Sequence, residues 1–146
     1  MGIREHPKKG TVIMCDFDSG FKQPEMVKRR PVIVISPQIK TRAGLCTVVA
    51  LSTTKPDPIM PYHSEIILPP NKFPEKINNT VWVKGDMINT VGFHRLDLIR
   101  LGKDYTGKRT YCYHVLDDKT MRIVQKCVLN GLGLSGLTKH LNDTMF

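Results

Sequence analysis

The stretch Arg29-Arg30-Pro31-Val32-Ile33-Val34-Ile35-Ser36 constrains this chain more than any other. The continuous β-branched run Val32 to Ile35 suits a strand buried on both faces, and therefore a central one. Pro31 has no N–H to give to a ladder, so it belongs at the strand's first position, with Arg30 extended at the rim just before pairing begins. A rigid rim can hold charge against a ligand. Taken alone, Arg29 and Arg30 also fit a solvated gatekeeper pair beside an insoluble strand.

The rest of the chain reads as strands first and a helix late. Thr11 to Asp18 alternates Val12 and Met14 against Ile13, Cys15 and Phe17, giving a first strand, and residues 19 to 29 with Gly20 and Pro24 form a long basic loop. Pro31 to Ser36 is strand two and Leu45 to Ser52 strand three. After the Pro-rich turn Lys55 to Pro61 comes strand four, Ser64 to Leu68. Strand five is Thr80 to Lys84, closing on Gly85-Asp86. His94 to Arg100 reads as a short helical turn held down by Leu96, Ile99 and Leu101, and Tyr111 to His114 as a further strand. From Asp117 the period changes. Asp117 or Asp118 can cap a helix whose Met121, Val124 and Val128 recur at helical spacing, and Gly131 offers its C-terminal stop. Leu134 to Phe146 is either a short helix from Ser135 or a frayed end. The fold class is mainly β with helical additions, a small, partly open barrel with a C-terminal helix. Residues 1–146 form a single domain, with 131–146 as its tail.

Composition removes several function classes. The 146 residues are 40% hydrophobic, enough for one cored domain, and no apolar run approaches a membrane span or a secretion signal, so the cytoplasm is expected. Cys15, Cys46, Cys112 and Cys127 lie in hydrophobic surroundings without a CxxC pair and read as reduced core residues. His6, His63, His94, His114 and His140 are dispersed, with no spacing that presents two to one metal, so neither metal nor cofactor is expected. The net charge of +9 is uneven: residues 19 to 42 hold Lys22, Lys28, Arg29, Arg30, Lys40 and Arg42 against Glu25 alone, or 6 − 1 = +5. That window favours a polyanionic partner, whether RNA, DNA, an acidic protein segment or an anionic membrane, and equally fits charge that serves solubility alone.

The motif order is more specific. Gly10 with its strand, Glu25 six residues before Pro31, Arg30-Pro31-Val32-Ile33-Val34-Ile35, Val48-Val49-Ala50-Leu51-Ser52-Thr53-Thr54 and Val83-Lys84-Gly85-Asp86 together resemble the PemK/MazF family of toxin endoribonucleases over roughly residues 9 to 130. The resemblance implies an SH3-like or CcdB-like barrel, usually a homodimer, that cuts single-stranded RNA without metal and is neutralised by an acidic antitoxin protein. Cleavage of that kind uses the ribose 2′-OH as nucleophile and leaves a 2′,3′-cyclic phosphate and a 5′-OH. It needs a base, an acid, and cations or donors around the phosphorane.

The resemblance implies Arg30 as the phosphate clamp, since a guanidinium binds two oxygens at once and is a poor base. Ser52 and Thr53 match the hydroxyl positions of the family motif. Lys84 and Asp86, two residues apart on one strand face, match an acid–base pair. Lys22, Lys28, Arg29, Glu25 and Thr54 complete the expected RNA contacts, with Glu25 as support for Arg30 or its loop. Three features depart from the family: Pro24 stands where relatives carry a small polar residue or His, Ser52 replaces the commoner Thr, and Phe21, Lys22 and Gln23 enlarge the loop. The rival expectation is a non-catalytic basic barrel that binds a topoisomerase or nucleic acid, for which the tail Gly131 to Phe146 would serve.

Overall fold

The computed structural model describes residues 2–38, 40–69 and 79–141. Among these, the strands are β1 (Val12–Asp16), β2 (Arg29–Val34), β3 (Leu45–Ser52), β4 (His63–Ile67), β5 (Thr80–Gly92), β6 (Leu96–Asp97), β7 (Ile99–Lys103) and β8 (Arg109–Cys112), followed by the helix α1 (Asp118–Gly131). β1 to β6 form an open antiparallel sheet in the order β4-β5-β3-β2-β1-β6, and β7 pairs with β8 as a separate hairpin.

The unbroken apolar run of β2 has a direct explanation, because the sheet carries a core on each face. Val32, Ile33 and Val34 are all fully buried. Ile33 joins Val12, Val49, Leu51 and Val83 under Met121, Val124 and Cys127 of α1. Val32 and Val34 join Ile13, Cys15 and Val48 on the other face, closed by Phe17, directly after β1, and by Met26 from the long loop. Burial of the thiols pushes Cys15 up to about 12 and Cys46 and Cys127 to about 11, so these stay protonated and unreactive at neutral pH. All four cysteines are free and buried.

Several boundaries differ from the sequence expectation. Pairing in β2 begins at Arg29, not after Arg30: Asp16 opposes Arg29, Cys15 opposes Arg30 and Met14 opposes Pro31. Phe17 N–H donates to the Lys28 carbonyl and Val34 N–H to that of Thr11. The alternation of an antiparallel ladder then makes Met14–Pro31 a non-hydrogen-bonded pair. The nitrogen of Pro31 therefore faces β3, where pairing starts only at Val32–Ala50, and no ladder bond is lost. β5 runs past Gly85-Asp86 to Gly92 because three residues, 85–87, loop out between the Ala50–Lys84 and Val49–Ile88 pairs. His94 to Arg100 is not one helical turn: a 3₁₀ turn covers Phe93–Arg95, and Leu96 and Ile99 are buried in β6 and β7 while Leu101 is exposed.

Asp117 caps α1 as expected, accepting the Thr120 N–H at 2.7 Å. Gly131 does not stop it. The left-handed residue is Gly133 (φ 75°), beyond the cap at Leu132, and a 3₁₀ turn follows over Ser135–His140. Part of the expected tail, residues 142–146, lies outside the described residues. Gly131 serves a close approach instead: a Cβ there would collide with the Gly85 carbonyl, and one on Gly85 with the Cys127 carbonyl. Helix and looped-out segment thus meet backbone to backbone. Gly131→Ala is expected to destabilise the protein by about 1–3 kcal/mol, although alanine is favoured in helices by about 1 kcal/mol. Urea unfolding checks this, and a stabilised variant would refute the contact.

Candidate active site

Strand register decides which side chains converge. Val32 opposes Ala50, Ala50 opposes Lys84 and Lys84 opposes His63, so these four share one face of the sheet. Two residues further along, Arg30, Ser52 and Trp82 stand on the same face, with Ser52 directly opposite Trp82. Pairing of β2 with β3 ends at Val32–Ala50, so the strands part there. An open cleft of about 620 Å³ fills the gap, lined by Arg30, Ser52, Thr54 and Lys84, with Met87 beside them and residues 23–27 of the loop as its lip.

Each polar group has a defined setting. Arg30 Nε donates to the Val27 carbonyl at 2.9 Å, which anchors the guanidinium to the lip and leaves its Nη donors for the cleft. Ser52, 5% exposed, donates to the Thr54 carbonyl at 3.3 Å and accepts the Thr54 N–H at 3.1 Å. Its hydroxyl is committed to shaping the strand end, and Thr54 lines the cleft. Thr53 is exposed beside it, outside the lining. Among the described residues, Glu25 is the carboxylate that lines the cleft. Its Oε1 accepts the Lys22 N–H at 3.2 Å while its own N–H donates to the Lys22 carbonyl at 2.9 Å.

Asp86 is on the looped-out residues of β5, exposed, and not part of the cleft lining. It forms no ion pair with Lys84. Both charges are felt at His63, whose pKa is lowered mainly by desolvation, with Asp86 opposing and Lys84 reinforcing the shift. His63 Nδ1 accepts the Met60 N–H at 3.1 Å, so the neutral ring carries its proton on Nε2. The basic window is divided. Arg29 pairs with Asp97 at 3.4 Å, Arg42 lines a separate small crevice with Ser36 and Thr47, and neither Lys22 nor Lys28 lines the cleft. His63, Trp82 and Met87 escaped the sequence reading. Trp82 and Lys84 share an alternation visible in the sequence, but His63 joins them only through the β4–β5 register.

An open antiparallel sheet with a core on each face, and a cleft whose described lining includes an arginine, a lysine, hydroxyls and a carboxylate, is the architecture of a small basic β protein. Solved structures share the fold. MazF from Deinococcus radiodurans superposes with a TM-score of 0.57 at 18% identity, covering 88% of this chain and 98% of that one. A mycobacterial endoribonuclease in complex with its cognate antitoxin gives 0.56 at 20% identity, covering 88% and 96%. The chain belongs to the PemK-like, MazF-like toxins of type II toxin–antitoxin systems, whose family model matches residues 8–131. The uncharacterized protein YifN of Escherichia coli (strain K12) is 26% identical to it over 158 residues, spanning 94% of this chain and 99% of that protein. An uncharacterized Haemophilus influenzae (strain Rd) protein is 29% identical over 151 residues, spanning 94% and 98%. Among the described residues no helix is long and apolar enough to cross a membrane.

Proposed function

We propose that this toxin is an endoribonuclease that cleaves single-stranded RNA without a metal ion. The observation that carries the reading is the meeting of Arg30, Lys84, Thr54 and Glu25 in one cleft at the parted ends of β2 and β3. Arg30 and Lys84 hold the non-bridging oxygens of the scissile phosphate, where charge grows in the transition state. The Glu25 carboxylate takes the 2′-OH proton as O2′ attacks phosphorus. The bond to O5′ then breaks, Lys84 supplies the proton to the leaving oxygen, and the products are a 2′,3′-cyclic phosphate and a 5′-OH. Thr54, with Thr53 beside it, donates to a phosphate oxygen, and Ser52 sets their backbone. Lys22, Lys28 and Arg29 contribute at longer range. Asp86 acts from the rim as a positioning charge on Lys84 and His63.

The partners follow the same reading: single-stranded RNA, a second copy of the chain in a homodimer, and an acidic antitoxin segment laid across residues 19 to 30, all in the cytoplasm. Solved relatives include a toxin in complex with its cognate antitoxin, which supports that partner. Incubation with a long single-stranded RNA in EDTA, followed by mapping of the ends, tests the reaction. Cleavage is expected to persist and to leave 5′-OH ends, and a requirement for Mg²⁺ or 5′-phosphate ends would overturn it. Absence of any cleavage would favour the non-catalytic binder, for which the tail leucines Leu132, Leu134 and Leu137 are exposed by 58%, 45% and 48%.

A further inference from the structure

We infer that the outward face of the β7–β8 hairpin is a second docking strip for single-stranded RNA, separate from the cleft of Arg30. Ile99 and Cys112 form a buried pair, so alternation turns the next pair, Arg100 and Tyr111, outward. Beyond the bulge between Arg100 and Gly102, Lys103 and Arg109 oppose each other and are exposed. Tyr113, two residues on from Tyr111, is 70% exposed. None of these residues lines the cleft.

Two cations facing each other across a ribbon work against its pairing. Among the described residues neither Lys103 nor Arg109 has an ion pair. The one acid in residues 99–112, Asp104, is bound into the turn, where its carboxylate accepts the N–H of Thr106 at 2.9 Å and of Lys108 at 3.0 Å. The fold therefore leaves a concentrated positive strip without an internal partner, and an external polyanion supplies one. An acidic peptide would satisfy the charge, but it has no use for the tyrosines. Bases of a single strand stack on aromatic faces while its phosphates take the cations, which matches Tyr111 and Tyr113 beside Arg100 and Arg109. The choice of RNA over DNA rests on the proposed endoribonuclease reading. The strip would hold a flank of the substrate, and a fragment short enough to fill the cleft alone would not reach it.

Binding of 2′-O-methyl RNA, which lacks the attacking hydroxyl, tests this without cleavage. Probes are a long single strand and one of about four nucleotides, the lower end of single-strand site sizes. The Lys103→Ala/Arg109→Ala variant is expected to lower the slope of log affinity against log salt for the long strand by about 1.4, or about 0.7 per lost phosphate contact. Binding of the short strand should not change, and removal of the like-charge pair should leave thermal stability equal or higher. Tyr111→Ala and Tyr113→Ala should each weaken the long strand by about fivefold or more. An unchanged slope and affinity in folded variants would overturn the strip, as would loss of antitoxin binding with RNA binding intact. A wild-type protein that binds the long 2′-O-methyl strand through the hairpin but never cuts the same sequence as unmodified RNA would sink the endoribonuclease reading and leave the strip standing.

Discussion

Arg30→Ala is expected to lower kcat/KM for RNA cleavage by about 100-fold to 1,000-fold, the cost of removing one preorganised donor set from a developing oxyanion, and to weaken RNA binding as well. The guanidinium is held by its Nε bond to the Val27 carbonyl, so its remaining donors reach the phosphate without reorganisation. They touch it in both the ground and the transition state, which is why affinity and rate fall together. Arg30→Lys should not restore the rate, because an ammonium cannot hold Val27 and two phosphate oxygens in one plane. The loss should not come from unfolding, since Arg30 stands at the end of β2 outside both cores. Trp82, the single tryptophan, faces the same side of the sheet as Ser52 and Lys84 and gives a fluorescence signal for binding of uncleavable RNA. A fully active, folded Arg30→Ala protein would mean that the chemistry lies elsewhere.

The β2 run announced a central strand because nothing but burial on both faces explains Val32, Ile33 and Val34 in succession, and the two cores bear this out. The cap at Asp117 and the stripe Met121, Val124 and Val128 were equally legible, since both depend on local spacing, although Val128 is only partly buried and Cys127 beside it takes the third core position. What the sequence hid depends on pairing partners. Pro31 reads as a strand start until its nitrogen is seen to face a side with no ladder to join. Gly131 reads as a helix stop until Gly85 is found against it. The three-residue excursion at 85–87 has no local signature either. Alternation along β5 gives Lys84 and Asp86 one side, but only the shift from Ala50–Lys84 to Val49–Ile88 takes Asp86 off the ladder and away from the cleft lining. Conversely, Glu25 reads as loop support, and its bonds to Lys22 fit that, yet the fold of the loop also turns it into the cleft wall.

Glu25→Gln and Asp86→Asn should therefore behave differently. If Glu25 takes the 2′-OH proton, its amide cannot, and kcat should fall by about 100-fold to 10,000-fold, the range for a lost general base. Glutamine keeps an oxygen to accept the Lys22 N–H, so the lip should hold its shape and the variant should report on the proton transfer. Removal of a negative charge beside a polyanion should leave RNA affinity equal or higher, so the defect should appear in kcat and not in binding. Asp86 lies outside the cleft lining, and its charge is felt at His63. Its loss should cost less than about tenfold, below the range of a group that transfers the proton itself. Single-turnover cleavage at saturating protein, with affinity measured separately on 2′-O-methyl RNA, distinguishes the two. If Asp86→Asn collapses the rate while Glu25→Gln is nearly normal, the base is Asp86, and residues 85–87 must turn toward the cleft when RNA binds. That movement would have to break the backbone contact between Gly85 and α1, because a peptide packed against Cys127 and Gly131 cannot rotate in place. Gly131→Ala, which disturbs the same contact, would then alter kcat as well as stability, whereas with Glu25 as base it should alter stability alone.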